Sequence, residues 1–432
     1  MTGAFPTIAL FSGVLVLMGM GVPLAFGAGA AAILMAWTIF GPQSLGLVLK
    51  TVYGLTTEYV LISAPMFILL ASLLERSNIA RDLYDSLAAL FGGIRGGVAY
   101  VTLFLSVILA TVSGTIGGEI VLLGLVALPQ MMRLNYNRKI SIGIVCAGGS
   151  LGTMLPPSLV LIFYGLTADV SVQKLFTASV LPSVVLSLMY LGYLFVCFRL
   201  RPDMAPNVLR NRPRLDARQI LRGVVPVLIL MMAIFGCIYG GITSITEAAT
   251  IGVAIALVIT SARGELNVRM LREALVQTFR ACGIVLWVTF GAAILISVYN
   301  LSGGQRLVTG WITGADLSPL ATILFMMAIL MILGLFMDWI GICLLCMPIF
   351  VPIVTGLGYD PIWFGILFSV SMQVAFLSPP FGPAAFFLKS VAPPEITLPL
   401  IFRSMGPFIA IQIVLLGLLI AFPQLALWLP GL

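Results

Sequence analysis

Two Pro-Pro pairs interrupt apolar helical runs at matched places in this chain, and no other feature restricts its fold as tightly. Pro156-Pro157 follows Tyr136 by 20 residues, and Pro379-Pro380 follows Tyr359 by the same 20. Upstream, Glu119 precedes Pro129 by 10 residues, and Asp338 precedes Pro348 by 10. Each half therefore carries an acid, a proline, a Tyr turn and a Pro-Pro break, in that order. Proline has no N–H and clashes with the carbonyl one turn back, so a pair of them frees carbonyls upstream. Lipid cannot satisfy such groups, and irregular backbone at membrane depth survives only inside protein or along a polar cavity. Duplicated interruptions of this kind point to a site for ions or a carried solute.

The surroundings are indeed those of a membrane protein. The 432 residues are 61% hydrophobic and 9% charged, with a mean hydropathy of +1.17, which predicts an all-α polytopic chain. No polar stretch exceeds about 25 residues, so no separate soluble domain is expected. The start, Met1 to Phe5, lacks a basic segment, and residues 5–22 read as a retained span. The net charge of +7 sits in short loops, as the positive-inside rule requires, and gives no nucleic-acid signature. There is no histidine, which excludes histidine-based metal or acid–base chemistry. The six cysteines (146, 197, 237, 282, 343 and 346) all fall in apolar segments. Cys343 and Cys346 have a metal-like spacing but flanks of Ile, Leu and Met, so they read as packing residues.

Apolar stretches predict spans near 5–22, 26–47, 57–75, 140–165, 177–198, 223–241, 246–262, 282–300, 361–388 and 404–429. Two further regions, 98–132 and 318–355, are each long enough for two short helices and carry a Gly-rich or polar interruption. Both read as re-entrant hairpins, and 140–165 and 361–388 as broken helices. Residues 78–92 show apolar spacing of three and four with polar residues opposite, the pattern of an interfacial arm helix.

Loop charge sets the orientation. The turn after the first hairpin carries Arg133, Arg138 and Lys139; the equivalent turn after the second carries only Asp360. Before the first hairpin lie Arg76, Arg81 and Arg95, whereas before the second a single cation, Arg306, precedes Asp316. Equivalent segments thus fall on opposite sides, and the repeat is inverted. The segments 199–222 and 263–280 are also Arg-rich and belong with the cytoplasmic set; the first, with Pro202, Pro206 and Pro213, reads as a linker between halves. These features divide the chain into 1–97 (scaffold spans and arm), 98–198 (first half of a transport domain), 199–317 (linker, scaffold spans and a second arm), 318–403 (second half) and 404–432 (a last span).

Carbonyls freed by the Pro-Pro pairs are hard oxygen ligands suited to an alkali cation, and half-helix N-termini beside them suit an anion. The matched acids Glu119 and Asp338 each precede an apolar helical run, which favours helix capping over ion contact. Thr243 or Thr246 is expected to cap the run that begins near Glu247. Lys389 reads as a cytoplasmic anchor. There is no GxxxxGK[ST] loop, so ATP drive is disfavoured and energy must come from an ion gradient or the membrane potential. An integral-membrane enzyme would need convergent acids, His or Cys, and only the isolated Glu58 and Asp82 are candidates.

Several stretches, in order, resemble the large membrane subunit of tripartite ATP-independent periplasmic (TRAP) transporters. They are Ala64-Pro65-Met66-Phe67 with Ser77-Asn78-Ile79-Ala80, the Ser113-Gly114-Thr115 tip, Gly152 to Ser158, Thr246-Glu247-Ala248-Ala249, Phe336-Met337-Asp338 through Pro348, and Ser378 to Pro383. The resemblance covers essentially the whole chain. It implies sodium-coupled uptake of a small organic acid across the bacterial inner membrane by an elevator movement. It also implies two partners, a small membrane subunit and a periplasmic substrate-binding protein. Sodium ligands would come from Ser113, Gly114, Thr115, Gly152 and Pro156 in one half, and from Gly334, Met337, Ser378, Pro379 and Gly382 in the other, many through backbone oxygen. Thr153, Ser158, Phe381 and Ala384 would face the substrate. Asn78 departs from the glycine common in the family, and Glu119 from the more usual Asp. The competing reading is a self-sufficient carboxylate transporter of the divalent-anion type, which shares the two hairpins but needs no binding protein.

Overall fold

The computed structural model describes residues 4–91, 93–113, 117–205, 216–304, 307, 310 and 318–431, and all regular structure among them is helical. Helices α1 (Ala4–Gly19) and α2 (Leu24–Phe40) are followed by α3 (Leu45–Thr56). The single span expected over 26–47 is thus divided: Gly41 takes φ +76° and Pro42 opens a new turn, because proline cannot continue α2. A short turn, Tyr59–Ile62, leads into α4 (Ser63–Arg76), and α5 (Ile79–Phe91) is the arm helix.

The first hairpin is α6 (Gly97–Ser113) with α7 (Gly118–Arg133). The first broken helix is α8 (Arg138–Gly149), a 3-10 turn at Leu151–Thr153, and α9 (Leu159–Ala168). The 29-residue α10 (Val172–Leu200) closes this half, and residues 206–215 of the linker lie outside the described residues.

Helices α11 (Ala217–Tyr239), α12 (Ile245–Ala262) and α13 (Val268–Leu301) follow. In the basic segment 263–280, Arg269, Arg272 and Arg280 ride on the first turns of the 34-residue α13. Arginine is a good helix former and keeps its charge in water, so the apolar span read at 282–300 begins well before its apolar part. The second hairpin is α14 (Pro319–Gly334) with α15 (Trp339–Gly356), and the second broken helix is α16 (Pro361–Leu377) with α17 (Pro383–Val391). The last span is α18 (Leu398–Ala421), after which Phe422 and Pro423 set off the short α19 (Gln424–Leu427).

Hairpin geometry fits the re-entrant expectation. Helices α7 and α14 have 16 residues each, roughly 24 Å of rise, short of a hydrocarbon core of roughly 30 Å. Among the described residues seven helical segments are long and apolar enough to cross a membrane, and one of them is the 18-residue hairpin helix α15.

Contacts at the two ends support the inversion. At one end Arg95 donates to Pro202 O at 2.8 Å, Asn137 N to Met204 O at 3.1 Å, and Tyr136 packs edge-on against Phe198, gathering the basic segments. At the other, Tyr164 at the end of α9 donates to Pro361 O at the start of α16, 2.6 Å away. The two broken helices therefore run in opposite senses. A large hydrophobic core surrounds the hairpins and broken helices, and a smaller one joins α1, α2 and α13 through Leu10, Val14, Ala28, Ala32, Leu295 and Val298.

The arm is tied to the α12–α13 connection. Arg263 pairs with Asp82 of α5, donates to Arg222 O at 3.1 Å, and pairs with Glu265 at 2.9 Å. Glu265 also accepts the Asn78 amide at 3.0 Å. Burial pushes the Glu265 carboxyl up, but the Asn78 amide and the Arg263 guanidinium outweigh it and hold the group below its usual range.

Candidate functional site

The first break is buried throughout, from Ser150 to Ser158. At Gly149, the last residue of α8, α7 leaves no room for a side chain: a Cβ there would lie 2.3 Å from Ile120. The start of the hairpin's return helix thus presses on the break, as the sequence expects of a tip facing an interruption. Polar groups of the unwound turn find partners within and across halves. Thr153 Oγ1 donates to Ser150 O at 2.9 Å, and Ser158 Oγ to Thr153 O at 2.5 Å. From the other half, Ser369 Oγ of α16 donates to Thr153 O at 2.8 Å and Gln373 Nε2 to Ser150 O at 3.0 Å. Gln412 of α18 adds a 3.4 Å contact to Ser150 Oγ. Buried polar groups must be paired in this way, and the pairing fixes the break against α16.

The second break is more open: Pro379, Pro380 and Phe381 are exposed. Its upstream turn is held by Ser378 Oγ donating to Val374 O at 2.7 Å. Gly382 takes φ +27°, a backbone region that disfavours side chains. The peptide bonds Pro156-Pro157 and Pro379-Pro380 are both cis. At the second hairpin's tip, Gly334 abuts α16 so closely that a Cβ would come within 2.3 Å of the Ala375 Cβ.

Between these parts lies a cavity of about 10 Å³, bordered by Thr153, Gly334, Met337, Asp338, Trp339, Met372, Ala375, Phe376 and Pro383. That volume is about what the centre of one water-sized particle needs. It is reached by the first break and by both elements of the second.

Of the residues the sequence singles out, Gly334 and Met337 border this cavity, while Gly152 and Pro156 lie in the buried first break. Ser378, Pro379 and Gly382 form the second break. Gly114, Thr115 and the side chain of Ser113 lie outside the described residues. The four substrate candidates do not share one open surface: Thr153, Ser158 and Ala384 are buried, and Phe381 is 43% exposed.

The matched acids differ. Asp338 caps α15, accepting from Ile340 N at 3.3 Å. Glu119 does not occupy the cap, which is Gly117; it sits buried in the first turn of α7. Ser244, rather than Thr243 or Thr246, caps α12 in a capping box with Glu247. Lys389 donates to Ile396 O at 2.8 Å and ties down the turn after α17. Ser369, Gln373 and Gln412 carry no motif; their only sequence signal is a polar residue inside an apolar helix.

Helical hairpins packed against interrupted helices, in two inverted copies within a membrane, define a secondary transporter fold. Residues 11–425 match the family described as the tripartite ATP-independent periplasmic transporter, DctM component, and the chain belongs to that family. It is 30% identical to the C4-dicarboxylate TRAP transporter large permease protein DctM of Pseudomonas aeruginosa, over 93% of this chain and 92% of that protein. It is 27% identical to the sialic acid TRAP transporter permease protein SiaT of Haemophilus influenzae, over 97% of this chain and 67% of that protein. Its fold is similar to that of the Alcanivorax borkumensis YdaH transporter, with a TM-score of 0.65, 16% identity, and coverage of 98% of this chain and 99% of that one. As a TRAP large permease it is a multi-pass protein of the bacterial inner membrane.

Proposed function

We propose that this subunit carries a small organic acid inward with sodium, working with a small membrane subunit and a periplasmic binding protein that delivers the ligand. The names of the relatives support the substrate class, since dicarboxylate and sialic acid are both carboxylates. The observation that carries the coupling is the small cavity walled by Thr153, Gly334, Met337 and Asp338. Its size suits one desolvated cation, and carbonyls freed at the breaks are the hard oxygen ligands such an ion takes. The ligands would be Gly152, Pro156, Ser113, Gly114 and Thr115 around the first break and Gly334, Met337, Ser378, Pro379 and Gly382 around the second.

In this reading 98–198 and 318–403 form a moving body, and the remaining spans a scaffold. Sodium bound between tips and breaks would hold the tips closed over the acid, so that the body moves only when loaded or empty. A ligand shifts such an equilibrium only by its differential affinity for the two positions. The Glu75 carboxylate of α4 lies against Gly118 at the first tip and accepts from Gln277 Nε2 of α13 at 3.1 Å. That contact, next to the basic loops, supports a body displaced toward the cytoplasm.

The test is uptake into proteoliposomes holding both membrane subunits, with loaded binding protein outside and an inward sodium gradient. Uptake by this chain alone would favour the self-sufficient carboxylate transporter instead. Loss of uptake on removing either partner supports the tripartite reading.

A further inference from the structure

A cleft of about 700 Å³ opens at the basic end of the molecule between the start of α8, the end of α10 and the start of α18. Four cations from three elements line it: Arg138 and Lys139, Arg201 and Arg403. All four side chains are exposed, no acidic residue borders the cleft, and none of the four is in an ion pair among the described residues. Like charges gathered without acids repel one another, and an anion in their midst relieves that cost. The N-terminus of α8 borders the same space and adds partial positive charge, with its Lys139 amide capped by Asn137 Oδ1 at 3.0 Å. The cations are positioned rather than scattered, because Asn137 N donates to Met204 O at 3.1 Å and clamps the segment after α10 onto α8.

The walls decide which anion. Above the cations the cleft is bounded by apolar faces of α10 and α18, where Leu200 is 75% exposed and Tyr193 half-buried. These are faces of membrane-spanning helices, so the space continues from the headgroup level into the acyl region. A free phosphate or a soluble carboxylate would leave that apolar part unfilled. A lipid fills both parts: phosphate against the cations, and acyl chains along α10 and α18.

We propose that this cleft is a binding site for one anionic phospholipid of the cytoplasmic leaflet. Its place between α8, the first part of the broken helix, and α18 lets lipid charge act where the body that carries the breaks meets the last span. The cleft shares no lining residue with the cation cavity, so the two sites are separate.

The experiment uses the purified full-length subunit in neutral detergent. Retention of phosphatidylglycerol and of phosphatidylethanolamine is measured by native mass spectrometry, with inorganic phosphate as a third probe in a thermal-shift assay. The wild type is compared with Arg201→Gln/Arg403→Gln, and with Arg272→Gln/Arg280→Gln as a control for general loss of basic charge. The expected result is preferential retention of phosphatidylglycerol, weakened on the order of tenfold in the first double variant and unchanged in the control. Phosphate alone should give no comparable shift. Equal retention of the two lipids, an equal loss in both double variants, or a phosphate effect as large as that of the lipid would overturn the proposal.

Discussion

Ser369 of α16 donates its hydroxyl to the carbonyl of Thr153 across a 2.8 Å bond, so the second half supplies part of the first half's break. Ser158 takes the same carbonyl from within the first break. With both donors in place, Thr153 O is committed to holding the two broken helices together. Replacing Ser369 by Ala leaves Ser158 as its donor and should cost about 1 kcal/mol of stability. A thermal melt of the purified subunit checks this; an unchanged midpoint would mean that the inter-half bond contributes nothing.

Gly334 sets how closely the second hairpin approaches α16. A methyl group there would meet the Ala375 Cβ at 2.3 Å, and overpacking of this kind costs about 1–3 kcal/mol. Gly334→Ala should push the tip off the break and lower uptake about tenfold while the chain still inserts. Gly46→Ala, which meets nothing within 4 Å, is the matched control and should leave uptake unchanged.

The hydroxyl of Ser378 gives its proton to Val374 O and keeps its oxygen lone pairs, so it is one ligand among the backbone oxygens expected at the second break. Ser378→Ala should therefore weaken sodium activation modestly, raising the half-saturating concentration about threefold. Complete loss of sodium dependence would show that the side chain itself is a principal ligand.

The arm's attachment should depend on pH. Glu265 has its carboxyl held below the usual range, so its stabilising effect is present above the unfolded value and is lost as pH falls through the lower folded one. At pH 7 Glu265→Gln should melt below the wild type, by about 1 kcal/mol given a partly exposed group. The gap should begin to narrow once pH falls below about 4, where an ordinary Glu is protonated, and close only below the lower folded value. Melting curves of the two proteins at both pH values measure the effect, and a gap that persists in acid would contradict it.

Much of the architecture was legible because lipid imposes period, length and charge rules on local sequence. The hairpins at 98–132 and 318–355 and the broken helices at 140–165 and 361–388 were visible from apolar runs with Gly and Pro interruptions. The arm at 78–92 showed in its three-four spacing. Local rules failed where two structures satisfy them equally. The arginines of 263–280 suit a loop or an exposed helical face, and α13 takes the latter. In Thr243-Ser244-Ile245-Thr246 three hydroxyls compete for one cap, and only Ser244 lies three residues before Glu247, the capping-box spacing that selects it. Ser369, Gln373 and Gln412 pair with groups more than 200 residues away, and no spacing along one helix encodes that.

Saturable binding of radiolabelled sodium to the purified subunit addresses the interrupted-helix site without its partners or its substrate. The account predicts one or more sodium-selective sites whose affinity falls in Gly334→Ala and is untouched in Arg263→Gln, which loosens only the arm. Absence of saturable binding, or potassium competing as well as sodium, would contradict it.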